Sequence, residues 1–351
     1  MQKVALAYLG YAGRGNLGDD AIELVYRRAL PQARIAALPL YPGDLPGHLR
    51  ERRHLSFRDA SLLLGGGTVI GRKNWRVHLL TGGRLAGRRP FHMLGAGVED
   101  PVFQGRNSFS ANGELRRWRP LLEQFDRVTV RGPRSAELLG TIGVVSEVVG
   151  DPALLLEPGP LPRTVDAGVL GLNVGWGDDM WGHDPERVGR ELAGTLRQLA
   201  RRGWQFRAFL ANDSDRAYTE RLLADAGVTD RTEVYVTVDP DTYLHSVRGC
   251  SVLVAQRLHA AILACCAAVP TIAIGYQPKC DDFMASLGQE RFLLRTDEVD
   301  AESLVDLVEK VDADRTDHVM RLQIAVDARR AALRAALARI GDQLGLDHAA
   351  G

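Results

Sequence analysis

The chain has 351 residues, more than one hydrophobic core normally serves, so two domains of ordinary size are expected. Its 44 basic and 44 acidic residues cancel, which argues against a nucleic acid held by overall charge. With 45% apolar residues, but no run long enough to span a bilayer and no secretion signal, the sequence predicts a cytoplasmic globular protein. Oligomeric state and transient contact with a membrane surface stay open.

In the first part of the chain, short apolar runs alternate with helical patterns, which indicates a parallel sheet with crossover helices. The predicted strands are Val4–Leu9, Arg34–Pro39, Ala60–Leu64, Pro90–Leu94, Arg127–Arg131 and Val144–Val148. The predicted helices are Asp20–Leu30, Trp75–Ala86, Gly113–Gln124 and Pro133–Leu139. The proline-rich segment 157–163 suits neither element, and we interpret it as an interdomain linker.

A second series of elements follows this linker. Its predicted strands are Gly168–Val174, Gln205–Leu210, Glu233–Val236, Ser251–Val254 and Thr271–Ile274. Its predicted helices are Pro185–Arg201, Ser214–Ala226, Leu258–Ala268, Cys280–Leu287 and Ala301–Val311, with a long final helix over Arg315–Leu344. This last helix has apolar residues at helical spacing and many arginines on its outer side, so we expect it to pack on its own protein.

These elements predict an α/β fold with an N-terminal domain over 1–156, a C-terminal domain over 164–312 and a packing helix over 313–351. Because ligands of open α/β sheets bind beyond the carboxyl ends of the strands, two such domains predict a cleft between them. The four cysteines include no C-x-x-C pair and lie in apolar sequence, which indicates buried thiols rather than a disulfide or a metal site.

The glycine loop after the first strand matches G-x-G-x-x-G, a pattern typical of dinucleotide binding. Two features argue against a dinucleotide here. No acid ends the second strand to hold a ribose, and Asp19 and Asp20 occupy the helix N-terminus where a pyrophosphate would lie. The alternatives are a simple turn with an aspartate cap, or a site where Asn16, Asp19 and Asp20 hold the hydroxyls of a sugar-like ligand.

Five short motifs occur in one order along residues 4–290. They are Gly15-Asn-Leu-Gly-Asp-Asp-Ala21, Leu64-Gly-Gly-Gly-Thr68, Val130-Arg-Gly-Pro-Arg-Ser135, Gly150-Asp-Pro-Ala153 and Arg257-Leu-His-Ala-Ala-Ile262. Together they resemble the polysaccharide pyruvyl transferase family. The chain departs from that family in two respects: Gly132 stands where an acid usually follows the motif arginine, and the loop Val69–Asn74 is basic where many relatives are not.

The resemblance implies a GT-B-like arrangement, in which two Rossmann-like domains face each other across a cleft. It also implies transfer of the enolpyruvyl unit of phosphoenolpyruvate to saccharide hydroxyls, most often forming a pyruvate ketal. Phosphoenolpyruvate is then a co-substrate, and no cofactor or metal is expected. The acceptor would be a sugar or lipid-linked saccharide, which the sequence does not identify.

Phosphoenolpyruvate carries a carboxylate and a phosphate, and arginine forks suit both groups. In the family motifs, Arg131 and Arg257 follow strands, so we expect both at the mouth of the cleft as anion ligands. Arg134, one helical turn along, is either a second phosphate ligand or a solvated charge, and Lys279 is a further candidate for the phosphate site.

His259 lies two residues after Arg257 at the start of an apolar helix. A histidine that titrates near neutrality can protonate the enol carbon or stabilise the leaving phosphate, so we predict that His259, Arg131 and Arg257 are catalytic. The substrate-binding candidates are Asn16, Asp19, Asp20, Gly66, Gly67, Thr68, Arg134 and Lys279. Glycines at strand ends let a backbone approach a ligand, although they are equally typical of plain turns.

Two other functions remain open from the sequence. One is a GT-B glycosyltransferase that uses a nucleotide sugar, although the run after Ile274 has no glutamate of the kind expected on a sugar-binding loop. The other is a non-catalytic saccharide-binding relative. The presence of Arg131, Arg257 and His259 together argues against it.

Overall fold

A computed structural model describes residues 2–3, 5–41, 44, 55–103, 113–159, 167–175, 177, 179–236 and 239–346. Most of the predicted linker, from residue 160 to 163, lies outside the described residues, as do Trp176 and Asp178. Residues 5–159 are called the first half below, and residues 167–313 the second half. The predicted domain boundaries stay predictions.

The first half is built on a parallel sheet with strand order β3-β2-β5-β7. Its strands are β1 Gln2–Lys3, β2 Leu6–Leu9, β3 Ile35–Ala37, β4 Leu55–Ser56, β5 Ser61–Leu64, β6 Thr68–Ile70, β7 Arg88–Met93, β8 Gly97–Val98, β9 Thr129–Val130 and β10 Glu147–Val148. Its helices are α1 Leu17–Ala29, α2 Lys73–Leu85, α3 Glu114–Leu122 and α4 Pro133–Gly140. A bridge between Ala96 and Val130 carries the parallel pairing on towards β9 and β10.

The second half is a six-stranded parallel sheet with strand order β13-β12-β11-β14-β15-β16. Its strands are β11 Val169–Asn173, β12 Gln205–Leu210, β13 Thr232–Val236, β14 Val252–Ala255, β15 Thr271–Gly275 and β16 Leu293–Arg295. Its helices are α5 Pro185–Arg201, α6 Arg216–Ala226, α7 Pro240–Val247, α8 Leu258–Cys266, α9 Pro278–Ser286 and α10 Ala301–Ala313, with 3-10 turns at Pro152–Leu155, Asp213–Asp215, Thr229–Arg231 and Glu290–Phe292.

This is the Rossmann strand order, and the connections change direction between β11 and β14. In the first half the corresponding change lies between β2 and β5. A ligand crevice forms where the connections on either side of such a point diverge. The loops that follow β2, β5, β11 and β14 are therefore where the site is expected.

One apolar core runs from the first half into the second. Leu17, Ile22 and Tyr26 on α1 belong to the same buried cluster as the second-half residues Leu263 and Cys266 on α8. A separate cluster fills the space between the other face of the first sheet and α2 to α4. All four cysteines are buried and unbonded, as predicted.

The final helix, α11, spans Arg315–Leu344 as predicted and buries Leu322, Val326 and Leu333. The expectation that its arginines lie outside is wrong for two of them. Arg329 donates to the carbonyls of Val148 and Ser286, one in each half, and Arg330 donates to Leu154, Leu156 and Cys266. The helix therefore ties the two halves together by polar contacts as well as apolar ones.

Several elements were not predicted: α7, β16 and the short pairs β1–β4 and β6–β8. The short strands have only two or three residues, too few to show an alternating pattern. By contrast, α7 had a recognisable start, because Asp239 caps it and Pro240 takes its first position. No helix in the described part of the chain is long and apolar enough to cross a membrane.

Candidate active site

A cavity of about 390 Å³ lies where the strand ends of the two halves meet. Nine of the predicted site residues line it: Asn16, Asp19, Gly66, Gly67, Thr68, Arg131, Arg257, His259 and Lys279. The structure therefore brings together residues that are up to 263 positions apart in the sequence. Asp20 and Arg134 are the two predicted residues that do not line it.

The first-half wall begins at the N-terminus of α1. Asn16 caps this helix, and its side-chain oxygen accepts a hydrogen bond of 3.0 Å from the Gly18 N–H. Asp19 lies in the first turn, and burial, reinforced by Asp20, raises its pKa to about 6 against the opposing effect of Lys279. Asp19 is therefore a carboxyl group that changes charge near neutral pH inside the cavity.

Asp20 has a structural role in place of the predicted ligand role. Its Oδ1 accepts the backbone N–H of Gly13 at 2.5 Å, which closes the glycine loop onto the start of α1. Gly13 and Gly15 both have positive φ, at 76° and 70°, so this loop needs glycines for its own conformation. The contact of Asp20 with Gly13 therefore agrees with the first alternative for this loop, a turn held by an aspartate.

Arg131 lies at the base of the cavity rather than at the mouth of the cleft. Its side chain is fully buried, and Nη2 donates to Thr68 Oγ1 at 3.2 Å. Nε lies 3.5 Å from Asp282 and Nη1 lies 3.8 Å from Asp151, so two buried carboxylates flank the guanidinium. Strand β9 ends one residue before Arg131 and directs its side chain inward. The position after a strand does not by itself predict that the side chain is buried.

His259 faces the same buried acid. Its Nε2 lies 3.8 Å from Asp151 Oδ2, and neither atom has a hydrogen-bond partner among the described residues. Burial lowers the pKa of His259, opposed by Asp151 and assisted by Arg131 and Lys279. The imidazole is therefore neutral at pH 7, and its Nε2 faces Asp151 without a hydrogen bond.

Asp151 is a site residue that the sequence analysis did not select, although it stood in one of the quoted motifs. It is fully buried, and its Oδ1 caps the following 3-10 turn by accepting the Ala153 N–H at 3.0 Å. The remaining oxygen lies between Arg131 and His259. Asp151 thus connects an arginine of the first half to a histidine of the second.

Arg257 precedes α8 at the point where the second sheet changes direction. Its Nε and Nη2 both bind Asp215, a buried acid that follows β12, with Nε at 3.0 Å. About a third of the side chain stays exposed towards the cavity. The sequence analysis did not select Asp215 either. Its position a few residues after β12, the strand next to β11, could have indicated that it lies near the site.

A buried amide fixes this loop. Asn173, at the end of β11, accepts the Arg257 N–H at 3.0 Å and donates to the Phe209 carbonyl at 2.8 Å. Three neighbouring strand ends are thereby tied by a single side chain, which is fully buried. Lys279, from the start of α9, completes the second-half wall with its Nζ 4.6 Å from the ring centre of Tyr276.

Three glycines let site side chains approach the backbone closely. A Cβ on Gly18 would lie 2.0 Å from His259 Nδ1, one on Gly97 would lie 2.5 Å from Arg131 Nη2, and one on Gly175 would lie 2.1 Å from Arg257 Nε. Such distances do not occur between real atoms, so each position requires glycine while the facing side chain stays in place. At Gly97 and Gly175 the partner is therefore a side chain of the protein rather than a ligand.

Arg134 lies outside the cavity. It is about half exposed and pairs with Asp100 and Glu137, which fits the solvated charge of the two predicted alternatives. Trp181 packs against Phe103 and Arg295. Aromatic residues line the cavity from both halves: Tyr11, Tyr41, Trp75 and His78 from the first, and Tyr276 from the second. None of them lies in one of the five motifs.

A smaller cavity of about 250 Å³ adjoins the first at the switch point of the second sheet. The two cavities share the side chains of Arg72, Arg257, Tyr276 and Lys279. The smaller one is completed by backbone and amide groups of Gly175, Gln256 and Gln277.

The overall arrangement is that of the GT-B fold, and solved structures share it. A putative UDP-N-acetylglucosamine 2-epimerase of Listeria monocytogenes aligns with 98% of this chain and 97% of its own, at a TM-score of 0.58 and 12% identity. Anabaena HepE in complex with UDP-glucose aligns over 98% of both chains at 0.54 and 13%. TarM of S. aureus aligns with 93% of this chain at 0.51 and 10%, and the chain spans 58% of its length.

These low identities establish the fold alone. No protein of curated function matches the sequence. The sequence pattern of the polysaccharide pyruvyl transferase family matches residues 16–278, three quarters of the chain, and this range contains Asn16, Arg131, Arg257 and His259. The chain therefore belongs to the polysaccharide pyruvyl transferase family and is a transferase.

Proposed function

We propose that this protein transfers the enolpyruvyl unit of phosphoenolpyruvate to hydroxyls of a saccharide or glycoconjugate, forms a pyruvate ketal and releases phosphate. The observation that carries the proposal is the convergence of Arg257, His259 and Lys279 on one wall of a cavity whose opposite wall holds Asn16 and Asp19. A small, multiply charged anion needs the wall with Arg257, His259 and Lys279, and a polyhydroxylated acceptor suits the wall with Asn16 and Asp19.

In the proposed reaction, the methylene carbon of phosphoenolpyruvate is protonated before the bond between the central carbon and the bridging oxygen of the phosphate breaks. A proton adds to the methylene carbon, a sugar hydroxyl oxygen bonds to the central carbon, and phosphate leaves with the electron pair of its bridging bond. A second hydroxyl then bonds to the same carbon and gives up its proton, which closes the ketal. The atoms balance, since the two hydroxyl protons replace the proton used and the one taken by the leaving phosphate.

His259 is the proposed acid. Burial lowers the pKa of its imidazole, and a bound phosphate would raise that pKa again. Binding of the substrate phosphate thus favours the protonated form of His259, which then serves as the proton donor. Asp19, with a pKa of about 6, is ionised at neutral pH and is placed to accept the hydrogen of an acceptor hydroxyl.

The smaller cavity supports a second candidate, a glycosyltransferase that uses a nucleotide sugar. It lies at the switch point of a sheet with Rossmann strand order, where nucleotides bind in such folds. A nucleotide there would contact Arg257 and Lys279, the same cations that the first proposal assigns to phosphoenolpyruvate.

Calorimetry separates the two candidates. Phosphoenolpyruvate and UDP-glucose are titrated separately into the wild type, Arg257→Ala and the control Arg134→Ala, which removes an arginine outside the cavity. We expect phosphoenolpyruvate to bind, with affinity at least tenfold weaker in Arg257→Ala, about 1.4 kcal/mol, and unchanged in the control. Binding of UDP-glucose with no heat from phosphoenolpyruvate would favour the glycosyltransferase.

A further inference from the structure

Position 132 is a glycine for a steric reason. A Cβ there would lie 2.0 Å from the backbone oxygen of Asp282 and 2.3 Å from its carboxylate. Asp282 belongs to α9 in the second half, whereas Gly132 precedes α4 in the first. The space beside Arg131 that a side chain at position 132 would need is thus filled by an acid from across the cleft.

The carboxylate of Asp282 makes three contacts there. Its Oδ1 accepts the Ser135 N–H at 3.0 Å, its Oδ2 accepts the Ser135 hydroxyl at 2.7 Å, and the same Oδ2 lies 3.5 Å from Arg131 Nε. Asp282 and Ser135 are both buried. A buried acid is retained at a contact between halves only when its charge is matched, and Arg131 is the matching cation.

We propose that Asp282 is a positioning residue for Arg131, supplied by the second half in place of a side chain at position 132. Arg131 Nε and Nη1 have no hydrogen-bond partner among the described residues, so the guanidinium is held by charge from two sides, by Asp151 of its own half and by Asp282 of the other. Only the expected change in kcat and KM for phosphoenolpyruvate rests on the proposed function.

The resulting chain of charges runs Asp282, Arg131, Asp151, His259 and crosses the contact between the halves twice. Docking of the two halves therefore sets both the orientation of Arg131 and the acid that faces His259. The other charged group that acts on His259 is Lys279, on the same helix as Asp282. Loss of the Asp282 charge leaves the Arg131 charge less compensated, which lowers the pKa of His259 further.

The test compares Asp282→Asn with Ser135→Ala. The asparagine oxygen still accepts the Ser135 N–H and its amide can donate to the hydroxyl oxygen, but the charge is lost and the hydroxyl hydrogen loses its acceptor. The alanine likewise removes the hydroxyl contact, together with the acceptor of the Val98 N–H, but keeps the charge. The readouts are the ¹⁵N signal of Arg131 Nε, the pKa of His259 by NMR, the melting temperature, and kcat and KM for phosphoenolpyruvate.

We expect Asp282→Asn to shift or broaden the Arg131 signal, to lower the His259 pKa and to reduce kcat/KM at least tenfold. Ser135→Ala should leave the signal and the His259 pKa unchanged and cost less than threefold in kcat/KM. An unmoved Arg131 signal and His259 pKa in a folded Asp282→Asn would overturn the proposal, as would equal changes in both variants that follow melting temperature alone. If Asp282→Asn does not fold, Asp282→Glu is used; because it keeps the charge but moves it, we expect a shifted Arg131 signal with a His259 pKa close to wild type, and an unmoved Arg131 signal would overturn the proposal.

Failure of the proposed function gives a different pattern. The NMR differences between the two variants would persist, but the wild type would neither bind nor turn over phosphoenolpyruvate.

Discussion

The two walls of the cavity differ in how their charges are held. On the first-half wall, Asp19 is a partly buried acid with a pKa of about 6, next to the neutral cap Asn16. On the second-half wall, Arg257 is fixed by the buried Asp215 and stays charged. The comparison shows that Arg257 keeps its charge on one wall, whereas the charge of Asp19 on the other changes with pH.

The largest expected effect is at His259, which touches both walls. His259→Ala removes the proposed proton donor, and a positioned acid contributes roughly 10²–10⁴-fold to rate. We expect turnover to fall within that range while phosphoenolpyruvate affinity, measured by calorimetry, stays within about tenfold of wild type. Unchanged turnover would remove His259 from the mechanism.

The next effect concerns the distance between the walls. Gly18→Ala places a Cβ 2.0 Å from His259 Nδ1, so either the imidazole or α1 must move. We expect kcat/KM to fall by roughly 10²-fold, since misplacing a catalytic group by about 1 Å costs that much. Gly140→Ala is the control, because a Cβ there meets nothing within 4 Å. Equal activity of the two variants would contradict the close approach.

A smaller effect on KM is expected when the arginine fixed inside the cavity is replaced, and none when the solvated arginine outside it is replaced. Arg257→Lys keeps the charge but loses the fork that binds Asp215. We expect KM for phosphoenolpyruvate to rise roughly tenfold, about 1.4 kcal/mol. Arg134→Lys, outside the cavity, should change KM by less than twofold in the same assay. A larger effect at Arg134 would restore it as a phosphate ligand.

The smallest effect is on stability at the acidic wall. Because the folded pKa of Asp19 is raised from 3.8 to about 6, the folded state binds this proton more tightly than the unfolded state. Stability from this group is therefore greatest at low pH and is lost as pH rises through 6. Asp19→Asn should raise the free energy of unfolding more at pH 8 than at pH 5, by about 1 kcal/mol. Denaturant unfolding at both pH values measures it; an equal gain at both would contradict the raised pKa.

Much of this site was predictable because parallel strands present their carboxyl ends on one side. The loops at Asn16, Gly66 and Arg257 follow such strands, and the structure brings them to one cavity as expected. The acids Asp151, Asp215 and Asp282 were missed because their importance comes from contacts with the site cations, which sequence spacing does not reveal. They are recognisable only when both halves are placed together.

Arg131 illustrates the same limit from the other direction. Its place after a strand was correct, but the expected exposure at the cleft mouth was wrong, because β9 directs it inward between two acids. Similarly, the arginines of α11 were expected in solvent, yet Arg329 binds carbonyls of both halves. An amphipathic pattern treats every arginine as a solvent-facing residue, so it cannot predict an arginine that donates to buried carbonyls.

The central claim is that the cations of the second-half wall bind phosphoenolpyruvate in the larger cavity. A crystal structure of the protein soaked with phosphoenolpyruvate tests it most directly. We predict density in that cavity with the phosphate or carboxylate against Arg257, Lys279 and His259, and the methylene carbon directed towards the imidazole. An empty cavity at a saturating concentration, or phosphoenolpyruvate bound elsewhere, would contradict the account.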